Sequence, residues 1–243
     1  ESLLGPLVTL PSPDVAEIMS RVGFDFVWIE AEHAPTGFER VQQMVQAVGS
    51  RCSAIVRVPD KAEVWFKKAL DTGCDGVVVP QVRTAQDVEA VVRWCYYPPD
   101  GARSVGLARA HGYGLTFQEY VDRANSQLAI LVMVEHVEAV TNIHEICGVP
   151  GLDAIVVGPF DLSGSMGVPG QVNHERVQAA IEKVRGACQE AGLPAGVFAV
   201  DVETAESAMD AGFRLIGLAT DTLFLWREAQ RSLRQLRTVV DRR

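Results

Sequence analysis

The sequence predicts a single α/β domain folded as a closed (β/α)8 TIM barrel. Three observations carry that expectation. Short β-branched runs alternate with longer segments of helical period along the whole chain, the pattern of parallel strands joined by crossover helices. The repeat occurs eight times in 243 residues, which fits one barrel spanning residues 1–243. A GxGxxG fingerprint, which an open dinucleotide-binding sheet needs after its first strand, is absent.

In chain order, the expected strands are Gly5–Leu10, Phe26–Glu30, Ala54–Arg57, Gly76–Pro80, Ala129–Glu135, Ala154–Val157, Ala195–Ala199 and Leu215–Leu218. Helices are expected to begin near Asp14, Phe38, Ala62, Ala85, Ala139, Glu175, Val202 and Thr222. Two segments break the rhythm, a long loop at Tyr96–Leu115 and a Gly/Ser/Pro-containing stretch at Gly158–Gly170. Long loops in barrels usually carry function or build interfaces.

Composition narrows the class of partner. A hydrophobic fraction of 48% with 22% charged residues is that of a soluble globular protein. No apolar run approaches the roughly 18 residues a membrane helix requires, and the stretch Leu3–Leu10 reads as a strand and not as a signal peptide. A net charge of −9 argues against a nucleic-acid partner. Arg227, Arg231, Arg234 and Arg237 recur at helical spacing and read as a solvated or subunit-facing helix surface. The five cysteines form no CxxC pair, so neither a disulfide framework nor a zinc site is expected, and reduced core thiols in a cytoplasmic protein are.

In this architecture catalytic groups project from the C-terminal ends of strands. The second strand runs into Glu30-Ala31-Glu32-His33, the third ends in Arg57, the fifth in Glu135, and the sixth continues as Gly158-Pro159-Phe160-Asp161. Glu135 and Asp161 on adjacent strands would repel each other unless a cation joined them. With only two protein oxygens in view, a hard divalent ion such as Mg2+ or Mn2+ that keeps waters and substrate oxygens fits best. The alternative is that both carboxylates merely cap the helices that follow. The N–H groups of Phe160 and Asp161, at a strand-to-helix turn after Gly158, form a ready carboxylate site. Arg57 suits the stabilisation of a developing enolate oxygen, or an ion pair at the mouth. His33 beside a carboxylate is a candidate general base. His111, His136, His144 and His174 read as surface or packing residues, and Trp28, Trp65, Trp94 and Trp226 as core or interface aromatics.

At these residues the chain resembles the HpcH/HpaI aldolase family, the metal-dependent class II pyruvate aldolases of the phosphoenolpyruvate/pyruvate barrel type. The resemblance is carried by Gly23-Phe24-Asp25-Phe26-Val27-Trp28-Ile29-Glu30-Ala31-Glu32-His33-Ala34-Pro35, Val56-Arg57-Val58-Pro59, Tyr97-Pro98-Pro99-Asp100-Gly101-Ala102-Arg103, Val134-Glu135 and Val157-Gly158-Pro159-Phe160-Asp161-Leu162-Ser163. It implies a divalent ion (Mg2+, Mn2+ or Co2+) on Glu135 and Asp161, Arg57 on the 2-oxo group, and the pyruvate carboxylate on Gly158, Phe160 and Asp161. It further implies His33 as base with Glu30 orienting it, Asp71 reaching a neighbouring subunit's site, and Leu218 near the aldehyde. A homohexamer, a trimer of dimers with exchanged C-terminal helices, is implied as well. The implied reaction is reversible cleavage of a 4-hydroxy-2-oxo acid to pyruvate and an aldehyde. Two departures stand out: Glu30 replaces the family's usual Asp, and Met133 replaces a Gln found in several members. They leave open oxaloacetate decarboxylation with enolate addition to another acceptor, as in macrophomate synthase, and beyond that a non-catalytic barrel subunit.

Overall fold

A computed structural model describes residues 1–240. Eight parallel strands close into a barrel, each hydrogen-bonded to the next and β8 to β1. They are β1 (Leu3–Val8), β2 (Phe26–Glu30), β3 (Ser53–Arg57), β4 (Gly76–Val79), β5 (Ala129–Val134), β6 (Ala154–Val157), β7 (Ala195–Ala199) and β8 (Leu215–Thr220). Helices α1 (Pro13–Val22), α2 (Phe38–Val48), α3 (Glu63–Asp71) and α4 (Ala85–Cys95) follow the first four strands. After β4 the chain also forms a 3-10 turn at Arg109–Gly114 and α5 (Phe117–Gln127). The second half adds α6 (Val137–Thr141), α7 (Ile143–Cys147), α8 (Pro159–Ser165), α9 (Glu175–Ala191), α10 (Val202–Asp210) and α11 (Asp221–Val240). Among the described residues no helix is long and apolar enough to cross a membrane.

Two separate apolar clusters hold the barrel. The larger lies between strands and helices and includes Val27, Ile29, Val56, Phe66, Ile130 and Ile155. The smaller fills the barrel interior with Phe26, Trp28, Ile55, Val78, Leu131, Met133, Ala154, Val156 and Leu215. Strands buried on both faces lose hydrophobic alternation, which is why β2 is buried at all five positions. Large inner side chains face glycines: a Cβ at Gly5 would lie 2.4 Å from the Phe26 ring, and one at Gly196 would lie 3.0 Å from Leu215 Cβ.

The strand ends differ from expectation where side chains capture the backbone. β1 stops at Val8 because Asp221 Oδ1 accepts from Thr9 N at 3.0 Å and Oδ2 from Leu10 N at 2.9 Å. Those bonds also tie the start of α11 to β1. Helix α5 was not expected; its Tyr120 and Ala124 pack inward at helical spacing. The expected long loop therefore holds a 3-10 turn around His111, which is fully buried and hydrogen-bonded to Tyr97 Oη at 2.8 Å.

The N-terminal end of the barrel is held by three carboxylates. Asp25 Oδ2 accepts from Leu4 N at 2.8 Å, Asp75 Oδ2 from Ala54 N at 2.7 Å and Asp153 Oδ2 from Ile130 N at 2.7 Å. Each Asp precedes an even-numbered strand and bonds the strand before it.

Candidate active site at the C-terminal mouth

Parallel pairing places Glu30 of β2 level with Arg57 of β3, so both side chains enter the mouth together. Glu30 is 1% exposed, and its Oε2 accepts from Arg57 Nε at 2.6 Å and lies 2.5 Å from a terminal guanidinium nitrogen. Its Oε1 accepts from Glu32 N at 2.6 Å and His33 N at 2.9 Å. One carboxylate thus fixes both the guanidinium and the loop that carries His33. Glu30 acts on His33 through its backbone N–H and not through the ring, and its second oxygen is held by Arg57. The extra methylene of Glu over Asp supplies the reach for that double grip.

The carboxylate beside the His33 ring is Glu32, with Oε2 3.7 Å from His33 Nε2 and 3.3 Å from Arg57 Nε. That Glu32 oxygen is buried and has no hydrogen-bond partner. Burial pushes the Glu32 carboxyl up to about 7 against the pull of Arg57, and Glu135 adds repulsion. Glu32 carries no role in the sequence pattern alone; the signal that points to it is an acid directly before His33 at the end of a strand.

Glu135 follows the last residue of β5 and is 3% exposed. Its Oε1 accepts from Gln81 N at 2.6 Å. Burial raises its carboxyl above the ordinary range and the nearby Asp161 charge raises it further. Gly158 is where it is because of close approach: a Cβ there would lie 3.0 Å from Glu135 Cβ, 3.1 Å from Glu135 Oε2 and 3.3 Å from Met133 Cε. Pro159 then starts α8, placing Phe160 and Asp161 in its first turn, where N–H groups have no intrahelical acceptor.

A small cavity of about 150 Å³ opens at this point, lined by Leu7, Trp28, His33, Arg57, Met133, Gly158, Pro159, Phe160, Asp161 and Phe198. Met133 takes no strong bond there; its Sδ accepts from an Arg57 terminal nitrogen at 3.4 Å. The structure therefore gathers Glu30, His33, Arg57, Glu135, Gly158, Phe160 and Asp161 at one mouth. Two other residues lie apart from it. Asp71, expected to serve a neighbouring subunit's site, ends α3 and within its own chain pairs with Arg103 at 3.3 Å. Leu218 lines a neighbouring groove with Asp201, Phe224 and Arg227. His136 and His174 cap α6 and α9, and His144 lies on the surface beside Glu190.

The residues at the mouth fit a hard cation. Glu32 Oε2 lies 3.3 Å from the guanidinium that Glu30 clasps, Glu135 packs against Gly158 and Asp161 lines the same cavity as Arg57, so three carboxylates share the mouth with one cation. Among the described residues no group of three or more His, Cys, Asp or Glu is arranged to hold a metal. Two direct carboxylate ligands with water and substrate oxygens completing the shell suit Mg2+-like ions.

Known proteins resemble this chain over nearly its whole length. The family model described as HpcH/HpaI aldolase/citrate lyase matches residues 6–227. A hydroxypyruvate/pyruvate aldolase of Paraburkholderia phytofirmans is 35% identical, over 98% of this chain and 94% of that protein. A 4-hydroxy-2-oxo-heptane-1,7-dioate aldolase of Escherichia coli is 35% identical, over 93% of this chain and 87% of that protein. The crystal structure of an HpcH/HpaI aldolase/citrate lyase family protein from Burkholderia cenocepacia J2315 superimposes with a TM-score of 0.95 at 33% identity, covering 98% of this chain and 95% of that one.

Proposed function

The chain belongs to the HpcH/HpaI aldolase/citrate lyase family, and from that premise we propose that it is a divalent-metal-dependent aldolase. The reaction is the reversible cleavage of a 4-hydroxy-2-oxo acid to pyruvate and an aldehyde. The observation that carries this reading is the convergence of Glu32, Glu135 and Asp161 on the barrel mouth where Glu30 clasps Arg57.

Glu135 and Asp161 would hold Mg2+, Mn2+ or Co2+. When bound, the ion supplies Lewis-acid stabilisation of negative charge developing on the 2-oxo oxygen. Arg57, fixed by Glu30, presents its remaining N–H groups to that same oxygen, so no reorganisation is needed as charge builds. The α8 N-terminus at Phe160 and Asp161 faces the substrate carboxylate. His33 accepts the proton of the 4-hydroxyl as the C3–C4 bond breaks; the bonding pair becomes the pyruvate enolate, the aldehyde leaves, and a proton then adds to C3. Glu32 beside His33 stabilises the imidazolium so formed. No lysine follows a strand end where a Schiff base would be expected.

An oligomer completes the reading. Leu225, Trp226, Leu233, Leu236, Val239 and Val240 of α11 are exposed, which supports a helix packed on another subunit, and Asp71 would then serve a neighbour's site. A reduced, cytoplasmic setting agrees with the five free cysteines.

Proton exchange at C3 of pyruvate in D2O, with and without EDTA, tests the enzyme reading. Exchange that EDTA abolishes is expected; its absence with added metal would refute every catalytic assignment here and leave the non-catalytic barrel. A pyruvate-release assay on 4-hydroxy-2-oxo acids against oxaloacetate separates the aldolase from a decarboxylase that adds its enolate to another acceptor.

A further inference from the structure

Three buried side-chain polar atoms make no hydrogen bond among the described residues: Trp28 Nε1, Glu32 Oε2 and Arg103 Nε. Buried polar groups are nearly always paired, so each needs a reason. Glu32 belongs to the acidic mouth already described. Trp28 stands two residues before Glu30 on β2, so it enters the same side of the strand one layer deeper. It is 2% exposed, lines the cavity and belongs to the interior cluster with Met133.

The ring is held on one edge. Gly217 of β8 leaves room for it: a Cβ there would lie 3.6 Å from Trp28 Cζ3 and 3.7 Å from Cε3. In an indole those carbons and the N–H lie on opposite edges, so the N–H is turned away from β8. The Arg57 guanidinium carbon is 5.9 Å from the ring centroid. Leu7, Met133 and Phe198 line the same cavity, and the only acceptor among them, the Met133 thioether, already receives a bond from Arg57. An unpaired N–H in such surroundings loses the full cost of its desolvation until an acceptor arrives. Met133, unbranched and adaptable, is the neighbour that can yield to one.

The acceptor must be a neutral oxygen. Glu30 and Glu32 already contact the Arg57 guanidinium and Glu135 lies near it, so a further carboxylate at this depth is repelled. Resting on the reading that Arg57 contacts the 2-oxo group, the part of the ligand within a bond or two of Arg57 is C3 and its substituent. We propose that the Trp28 N–H donates to a hydroxyl on C3 of the 2-oxo acid, making Trp28 the residue by which the site prefers a 3-hydroxy-2-oxo acid to its 3-methyl isostere. A site built to bond a hydroxyl discriminates strongly against the analogue lacking it, whereas an apolar pocket alone barely separates the two.

The test compares C3 proton exchange in hydroxypyruvate and 2-oxobutyrate, with saturating Mg2+ or Mn2+, for the unaltered protein and for Trp28→Phe. The kcat/KM ratio of hydroxypyruvate to 2-oxobutyrate should fall at least tenfold in Trp28→Phe; an unchanged ratio overturns the proposal. Taking the ratio cancels the greater intrinsic acidity of the hydroxylated C3. If Trp28→Phe does not fold, the two acids are compared as competitors of pyruvate exchange in the unaltered protein. Tenfold tighter competition by hydroxypyruvate is expected, and equal competition overturns the proposal. Absence of metal-dependent pyruvate exchange in the unaltered protein would overturn the aldolase reading as well. Exchange present with an unchanged ratio sinks the Trp28 assignment alone.

Discussion

At the N-terminal end of the barrel, Asp25, Asp75 and Asp153 each accept a backbone N–H of the preceding strand at 2.7–2.8 Å. At the C-terminal end, Glu32, Glu135 and Asp161 share the mouth; burial raises the first two carboxyls as it raises Asp153, but at the mouth like charge adds to the rise. The same chemical group thus closes the sheet at one end and stores repulsion at the other. Satisfied carboxylates read as stability and frustrated ones as function, because only the latter leave free energy for a ligand to recover.

The sharpest way to break that comparison is Glu135→Ala. In the proposed site it should lower metal-dependent pyruvate exchange by about a thousandfold or more, the scale of losing electrostatic transition-state stabilisation. The thermal midpoint of the cation-free protein should fall less than in Asp75→Ala, because loss of the acceptor for Gln81 N is offset by removal of a buried, repelled charge; a larger fall with exchange retained would reverse the assignment of ends.

Glu30 sits at the mouth yet is satisfied like the lower carboxylates, so it tests the boundary. Glu30→Ala leaves Arg57 buried without its partner and should cost about 3–5 kcal/mol by chemical denaturation, along with exchange activity. Glu30→Asp should recover less than half of the lost stability, because the shorter arm cannot hold Arg57 and the His33 loop together.

Saturating divalent cation should stabilise the unaltered protein by about 2.7 kcal/mol at a hundredfold excess over Kd, raising the midpoint in a thermal scan. Glu135→Ala should show no such rise. Asp75→Ala should cost about 1–3 kcal/mol for its orphaned N–H, roughly 2–4 °C in midpoint per kcal/mol, while exchange persists. Lost exchange without lost stability would place function at both ends.

The smallest effect concerns His111, remote from both ends. Burial lowers its pKa from 6.5, with Arg103 acting in the same direction. The unfolded chain therefore binds the proton first, so stability falls as pH drops below about 6.5 and levels once the folded form also protonates. The slope within that window is at most about 1.4 kcal/mol per pH unit. Unfolding curves between pH 7 and 5 for the unaltered protein and His111→Phe should diverge there; parallel curves would exclude His111 as the source.

The eight-fold rhythm was legible because each strand is a short β-branched run and each helix an amphipathic one, and local pattern suffices for both. Glu30, His33, Arg57, Glu135 and Asp161 were legible for a related reason: polar residues interrupt apolar strands only where strands end. The direction of their bonds was not. Nothing in the order Glu30-Ala31-Glu32-His33 tells which carboxylate meets the ring, since that depends on Arg57 arriving from β3 in register. Trp28 read as core because β2 is apolar on both faces, and inward cannot be told from outward without alternation. The stretch after Tyr96 read as a loop because the buried Tyr97, His111 and Tyr120 contacts that order it are long-range. Asp71 and Leu218 rest on subunit and loop geometry that a single chain does not display.

The Asp bridges also give the barrel a grain. Asp25 links β1 to β2, Asp75 links β3 to β4 and Asp153 links β5 to β6, while the β7–β8 pair is joined at the same level by the main-chain bond from Arg214 N to Ala195 O at 2.8 Å. At its N-terminal end the barrel is in this sense four double-stranded staves, three of them stapled by a carboxylate and all joined to the next at that level by backbone. At the opposite mouth the Glu30–Arg57 pair ties β2 to β3. Severing the chain in the Leu128 turn ahead of β5 would part it between staves, leaving two half-barrels with every staple intact. A cut just ahead of Asp75 would leave one staple to hold across the break. Fragments made the first way are the ones suited to reassembly, and the seams along which such a barrel could be recombined from pieces run between its staves.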